Sequence, residues 1–266
     1  MAGDIIKTVI MAGGKGTRLQ PLTLIRPKSM IPLVNKPVVE HVMERLKYFH
    51  LNDLILTLNY LSNDIMNYFK DGSDKELKIT YSVEKSPLGT SGSVKNAEKY
   101  LNETFMVLSG DVLSDINFNE VLQFHKRKGA LATLVLTEVA DLTSYGIAVL
   151  NDNQKIVEYL EKPSSKEIFS RMANTGTYIL EPEIFEYFEG FDGEIDFSND
   201  IFPKLINNKA GIYGYVFGGY WNDIGRPETY LKATYDVLGQ KLKQKIYPKN
   251  LKEDVGKLGK FGWVII

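Results

Sequence analysis

The sequence predicts an α/β protein built on a mixed, mostly parallel sheet flanked by helices. Three observations predict it. In the first half, short apolar runs alternate with segments of helical period, which is the pattern of βαβ units. The most unusual local sequences all fall at the ends of predicted strands, where open α/β sheets bind their ligands. The chain has 266 residues, 44% of them hydrophobic, which is enough for one large core.

The elements follow in order. Lys7–Ala12 is an apolar first strand. Over Pro37–Phe49, the residues Val38, Val39, Val42, Met43 and Leu46 share one helical face. Asp53–Leu58 reads as the second strand, Ser62 as the cap of a helix through Phe69, and Leu77–Ser82 as an alternating third strand. A helix starts at Ser91 or Gly92 and runs to about Leu101. Phe105–Ser109 is the fourth strand, Asn119–Lys128 a helix and Leu131–Glu138 a strand. The second half is less regular. Strands are predicted at Gly146–Leu150, Ile156–Glu161, Thr175–Leu180 and Ile212–Phe217, and helices at Pro182–Glu189, Phe197–Asn207 and Pro227–Lys243. The close strand spacing there predicts antiparallel additions to the sheet. Residues 1–243 are expected to form one domain and 244–266 a short C-terminal extension. Its glycine-spaced apolar pieces read either as strands packed on the domain or as the first turn of a hexapeptide-type β-helix.

Composition excludes several classes. Net charge is −1, and no Lys/Arg run forms a nucleic-acid or membrane patch, so any functional positive charge must be local. The absence of cysteine removes disulfides, thiolate nucleophiles and cysteine-ligated zinc. His41, His50 and His125 have no metal-ligand spacing and read as structural or surface residues. With no signal-peptide pattern and no membrane-length apolar run, a cytoplasmic protein is expected. The apolar stretch Phe261–Ile266 offers a self-association surface, so a homo-oligomer is an open alternative.

The most informative stretch follows the first strand: Gly13-Gly-Lys-Gly-Thr-Arg-Leu-Gln-Pro-Leu-Thr23, then Pro27-Lys28. Closely approaching backbone N–H groups cradle phosphates, and Arg18 and Lys28 add the charge that a polyphosphate requires. It is not a P-loop, because Gly16 is followed by Thr17-Arg18. It is not a dinucleotide fingerprint, because Leu19 stands where the third glycine belongs. A tight turn without a ligand is the alternative.

Other strand ends carry polar groups. Glu84-Lys-Ser-Pro-Leu-Gly-Thr-Ser-Gly92 follows the third strand and Gly110-Asp111 the fourth. Asp111 stands where a Mg²⁺ ligand would sit, with loop capping as the alternative. Asp223, in Tyr220-Trp-Asn-Asp-Ile-Gly-Arg-Pro227, reads as a second carboxylate in a turn before a helix; Asp115 reads as surface or capping. Glu161-Lys162-Pro163, Asn174-Thr-Gly176 and Tyr145-Gly146 carry further polar groups on strand edges, each with an ordinary turn as its alternative.

Taken together, these motifs resemble the nucleoside-diphosphate-sugar pyrophosphorylases, or sugar-1-phosphate nucleotidyltransferases, over roughly residues 5–240. The mannose-1-phosphate guanylyltransferases are the nearest in pattern, followed by glucose-1-phosphate uridylyl- or thymidylyltransferases. The resemblance implies a glycosyltransferase-A-like, Rossmann-related fold and a nucleotidyltransferase catalytic domain over 1–243. It implies Mg²⁺-dependent attack of a sugar 1-phosphate on the α-phosphorus of an NTP. Under it, Ala12, Gly13, Gly14, Gly16 and Thr17 hold the triphosphate, and Glu84, Pro87, Gly89 and Thr90 complete the nucleotide site. Arg18 stabilises the leaving pyrophosphate and Lys28 the α-phosphate. Asp111 and Asp223 hold the metal. Lys162 grips the sugar phosphate, while Tyr145, Gly146, Glu161, Asn174 and Gly176 read the sugar. The nucleophile is already an anion, so no general base is required. A non-catalytic sugar-nucleotide sensor is the alternative class.

Glu84 bears on the base. Guanine offers two adjacent donors that one carboxylate accepts together, whereas uracil and thymine place one donor between two carbonyls. Glu84 therefore leans toward GTP, with UTP or dTTP as the alternative. Mannose 1-phosphate is carried along with GTP, and glucose 1-phosphate with UTP or dTTP.

Overall fold

A computed structural model describes residues 6–242 of the chain. The C-terminal extension and its two readings lie outside the described residues.

The first half is a parallel unit. Strand β1 (Thr8–Met11) leads into the glycine loop. A short hairpin, β2 (Pro32–Leu33) and β3 (Lys36–Pro37), then precedes helix α1 (Val38–Tyr48). Strand β4 (Asp53–Leu58), helix α2 (Ser62–Phe69), strand β5 (Lys78–Val83), helix α3 (Gly89–Lys95) and strand β6 (Phe105–Ser109) follow. Strand β1 lies between β4 and β6, with Val9 opposite Ile55 on one side and Val107 on the other. Strand β5 continues the sheet in parallel beyond β4.

The second half adds β7 (Val112–Ser114), α4 (Phe118–Lys128), β8 (Ala132–Glu138), β9 (Ile147–Leu150), β10 (Ile156–Leu160) and β11 (Met172–Leu180). Helix α5 (Phe202–Asn207), strands β12 (Ile212–Val216) and β13 (Trp221–Asp223) and helix α6 (Pro227–Leu238) complete the described chain. Strand β11 joins the halves. Its Thr177–Leu180 run antiparallel to β6, while Met172 and Ala173 pair with β9 instead. Its pairing with β8 slips between Asn174 and Tyr178. The result is a nine-stranded mixed sheet. It is parallel across β6, β1, β4 and β5 and again where β12 meets β8, and antiparallel around β11. The expected antiparallel additions are therefore present.

Successive strand residues point to opposite faces, and each face has its own core. Val9, Ile55, Val107 and Tyr178 pack with Val94 of α3 and Leu205 of α5. Ile10, Leu54, Leu56 and Ile179 pack against α1, α2 and α4 through Met43, Leu46, Phe69 and Val121. Both sheet faces are covered, so the central strands read as continuous apolar runs.

Four expectations need correction. Ser62 does not cap α2: Leu61 occupies that position at φ 48° without a side-chain cap bond. Helix α3 starts at Gly89, stops at Lys95 and yields to a 3-10 turn at Glu98–Tyr100. The segment Pro182–Phe188 is a 3-10 run. The helix expected over Phe197–Asn207 is a π-turn, Phe197–Ile201, followed by α5. Pro203 explains this last break. It lacks an N–H and would collide with the carbonyl of Asn199 in a continuous α-helix.

Candidate active site

A cleft of about 550 Å³ opens beyond the carboxyl ends of β1, β4, β5 and β6. Its lining brings together Ala12, Gly13, Gly14, Gly16, Thr17, Arg18, Lys28, Glu84, Pro87, Gly89, Thr90 and Asp111, the residues the sequence assigns to the nucleotide side together with one carboxylate. The glycine loop is held in shape. Gly16 has φ 63°, and a Cβ there would stand 2.8 Å from the Lys28 Cβ. The Thr23 hydroxyl donates to Gly16 O at 2.8 Å, and buried Leu19 anchors the 3-10 turn Thr17–Leu19.

At one wall the Lys28 ammonium forms an ion pair with Asp111, and its Nζ lies 3.6 Å from Asp223 Oδ1. Asp111 follows β6 directly. Asp223 ends β13, which pairs antiparallel with β7 so that Asp223 faces Val112. Ile224 N–H donates to Asp111 O at 3.0 Å. The small β7–β13 sheet therefore brings the second carboxylate to the first. Arg18 reaches the same place, since a Cβ on Gly225 would stand 3.1 Å from Asp223 Oδ2 and 3.4 Å from an Arg18 guanidinium nitrogen.

The electrostatics follow from this arrangement. Burial alone would push Lys28 down, but the Asp111 and Asp223 carboxylates outweigh it and raise its pKa. Burial likewise works against the Asp111 carboxylate, but Lys28 and the Ser109 hydroxyl, 2.8 Å from Oδ1, hold it below the usual range. Asp223 is pushed up by burial and then by Asp111, against Lys28 and Arg18. The wall thus sets two carboxylates against Lys28 and Arg18 and is rich in hard oxygen donors. That donor set suits Mg²⁺, which takes one or two carboxylates and completes its shell with phosphate oxygens and water. Among the described residues, no group of three or more His, Asp or Glu side chains offers another metal site.

The residues expected to read the sugar do not line this cleft. They form a neighbouring network where β11 parts from β6 toward β9. Asn174 Nδ2 donates to Tyr159 OH at 3.0 Å and to Tyr178 OH at 2.9 Å, and Asn174 Oδ1 accepts from Gly176 N–H at 3.0 Å. Tyr159 OH donates to Glu161 Oε2 at 3.4 Å. Gly146 is required by close approach, because a Cβ there would lie 1.9 Å from the Tyr159 hydroxyl. The Tyr145 ring meets Trp221 edge-on at 5.0 Å, and burial followed by the nearby Asp223 raises its phenol. Gly176 stands beside Ser109, where a Cβ would meet the serine Cβ at 3.4 Å. Ser109 therefore touches both sides. The Lys162 ammonium projects outward, its side chain 63% exposed, and lies 3.2 Å from Glu161 Oε1.

Glu84 is half-buried. Its Oε2 accepts from Leu88 N–H at 3.3 Å, and burial, helped by Glu194, raises its pKa. Sequence reasoning missed Glu194, which lines the cleft from a distant turn, together with Ser109 and Tyr159. Only Ser109 carried a local signal, directly before Gly110-Asp111. Asp115, read as surface or capping, is buried at 8% exposure and contributes to the field at Arg45. His41 and His125 have the expected structural roles. His41 Nε2 lies 2.8 Å from Leu33 O, and His125 bridges Thr133 at 2.8 Å and Glu181 at 2.9 Å.

Fold and cleft together define an α/β protein with a glycine-lined cleft, carrying Lys28, Arg18 and Asp111, at the ends of parallel strands. The chain belongs to the nucleotidyl transferase family, whose model matches residues 7–240. It is 35% identical to a UTP--glucose-1-phosphate uridylyltransferase of Synechocystis over 90% of this chain and 65% of that protein. It is 38% identical to mannose-1-phosphate guanyltransferase 2 of Candida glabrata over 86% of this chain and 64% of that protein. The chain thus spans about two thirds of the length of these curated relatives. HddC from Yersinia pseudotuberculosis, solved with GMP-PN, superposes with a TM-score of 0.74 at 29% identity, covering 87% of this chain and 99% of that one. A UDP-glucose pyrophosphorylase solved with UDP-glucose gives a TM-score of 0.78 at 24% identity, covering 89% of this chain and all of that one, and supports the fold. Among the described residues no helix is long and apolar enough to cross a membrane.

Proposed function

We propose that the chain makes an NDP-sugar and pyrophosphate from an NTP and a sugar 1-phosphate. The anionic oxygen of the sugar 1-phosphate attacks the α-phosphorus in line. The bond from that phosphorus to the oxygen bridging the α- and β-phosphates breaks, and its electrons leave with pyrophosphate. The observation that carries this reading is the convergence of Lys28, Arg18, Asp111 and Asp223 on one wall of a glycine-lined cleft. Phosphoryl-type transfer rests on positioning and charge stabilisation, and that wall supplies both.

In this reading the loop Ala12–Thr17 holds the triphosphate through its N–H groups and the Thr17 hydroxyl. Lys28, kept protonated by its two acidic neighbours, offsets charge developing at the α-phosphate. Arg18 stabilises the departing pyrophosphate. Asp111 and Asp223 would hold Mg²⁺, which would neutralise phosphate charge. Pro87, Gly89 and Thr90 frame the nucleotide beside Glu84. Tyr145, Gly146, Glu161, Asn174 and Gly176 read the sugar, and Lys162 swings inward from its exposed position to take the sugar phosphate.

The preferred pair is GTP with mannose 1-phosphate. Glu84, whose Oε2 accepts from Leu88 N–H at the cleft, supports the base, because one carboxylate accepts the two adjacent guanine donors together. Curated relatives named as mannose-1-phosphate guanylyltransferases support the pair. UTP or dTTP with glucose 1-phosphate is the second reading, favoured by the uridylyltransferase relative. The test is to incubate the chain with Mg²⁺, each NTP and a panel of sugar 1-phosphates, and to measure pyrophosphate. Release that is fastest with GTP is expected. No release with any pair would leave the non-catalytic sensor as the reading, and faster release with UTP or dTTP would sink the Glu84 argument.

A further inference from the structure

Between the nucleotide side and the sugar side stands a turn to which no substrate role has been given. Ile195 N–H donates to Leu88 O at 2.8 Å, and Ile195 O accepts from Ser91 and Gly92 N–H at 3.0 and 3.1 Å. Asp196 Oδ2 accepts from the Thr90 hydroxyl at 2.6 Å, across 106 residues of sequence. Asp196 Oδ1 accepts from Ser198 N–H at 2.9 Å and Asn199 N–H at 3.1 Å, closing the turn. The Ser198 hydroxyl then meets Tyr159 OH at 2.8 Å. The Tyr159 oxygen also accepts from Asn174 Nδ2, and either hydroxyl of the Tyr159–Ser198 pair can be its donor. A continuous hydrogen-bonded path thus runs from Thr90 through Asp196, Ser198 and Tyr159 to Asn174.

The path rests on a stiff base. The turn is a π-turn, a rare geometry frequent at functional sites. Phe197 stacks on Phe202 at 5.4 Å and 21°, and Tyr159 packs edge-on against Phe202 at 5.5 Å. In-line attack needs the reacting atoms about 3–3.5 Å apart. The proposed reaction holds its two substrates on different chain segments, so whatever ties those segments together sets that spacing.

We propose that the Asp196–Ser198 turn is a positioning strut that fixes the distance between the nucleotide-binding loop and the sugar-binding network, with Ser198 as its joint to Tyr159. This rests on the nucleotidyl-transfer reading. Its signature is cross-site: loosening the joint on the sugar side weakens the nucleotide as well. A merely local role for Ser198 would move the sugar 1-phosphate alone.

The test is steady-state kinetics on the full chain with Ser198→Ala, the milder Ser198→Thr and, as a second break of the same joint, Tyr159→Phe. With Ser198→Ala and Tyr159→Phe, the KM for both the NTP and the sugar 1-phosphate is expected to rise about fivefold or more, the effect of one lost hydrogen bond. Ser198→Thr, which keeps the hydroxyl, is expected to restore the NTP KM. An NTP KM within about twofold of wild type in both breaking variants overturns the strut and leaves the reaction assignment standing. An NTP KM that Ser198→Thr does not restore also overturns it. No pyrophosphate from the wild-type chain with any pair overturns the reaction assignment and the strut together.

Discussion

The two sides of the site satisfy their polar groups in opposite ways. On the phosphate side, one ammonium is shared by two carboxylates, and Asp223 is pushed toward neutrality by burial and then by its acidic neighbour. On the sugar side, amide and phenol groups already pair with one another, as in the bonds of Asn174 to Tyr159 and Tyr178, and Glu161 already has Lys162 beside it. The first side holds charged groups, Lys28 and Arg18 beside Asp111 and Asp223, that a divalent cation and the phosphates it accompanies would engage. The second holds a shape that is complete before any ligand arrives. Rate should therefore reside mainly on the first side and selectivity on the second.

The harshest way to break this contrast is Asp111→Ala. It strands Lys28 with Asp223 and removes one of the two carboxylates at the wall. Turnover is expected to fall by about 10²–10³-fold, the range seen when one preorganised electrostatic group is lost. Initial rates of pyrophosphate release, with circular dichroism to confirm the fold, check this.

Gly146→Ala probes the sugar side by shape alone. The added methyl would collide with Tyr159 OH, so stability is expected to drop by about 1–3 kcal/mol, the usual cost of overpacking. The KM for sugar 1-phosphate is expected to rise with it. Denaturant unfolding and kinetics measure both. A variant as stable and as selective as wild type would show that the network is looser than described.

Glu84→Gln sharpens the contrast by changing preference more than rate. Replacing an acceptor-only group by an amide is expected to move the GTP-to-UTP ratio of kcat/KM toward UTP by about tenfold, or ~1.4 kcal/mol. Competition assays read the ratio directly.

The smallest effect comes from pH. His41, on α1, meets Leu33 O, and His125, on α4, meets Thr133 and Glu181. Burial, acting first, holds both imidazoles below the ordinary value of 6.5 despite carbonyl or carboxylate neighbours. A depressed pKa means that the folded state prefers the neutral ring. The contribution is complete above pH 6.5 and is lost as pH falls through that value toward the lower folded pKa. Unfolding midpoints measured from about pH 7.5 to about pH 5.5 should fall, and His41→Gln or His125→Gln should each flatten the slope.

The phosphate side was legible in the sequence because its parts are contiguous. The run from Gly13 to Thr23, with Lys28, carries glycine, Arg and Lys together, and Asp111 follows a strand directly. Asp223 was read as the second candidate metal ligand, a carboxylate in a turn before a helix, but nothing in the sequence brings it to Asp111. Strands β7 and β13 are too short for alternation to register, so only their pairing reveals why Asp223 meets Asp111. The sugar side was legible as motifs and not as a network. Tyr159 sits mid-strand with no local signal, and its bonds to Ser198 and Asn174 exist only in three dimensions. The change from π to α geometry after Ile201 was foreshadowed by Pro203.

The division of labour is tested most directly by comparing Lys28→Ala with Asn174→Ala in one set of initial-rate measurements. The account predicts that Lys28→Ala lowers kcat about 100-fold or more while the KM for sugar 1-phosphate stays within about threefold. It predicts that Asn174→Ala does the reverse, raising that KM about tenfold with kcat nearly kept. The same pattern from both variants, or a near-normal kcat without Lys28, would contradict it.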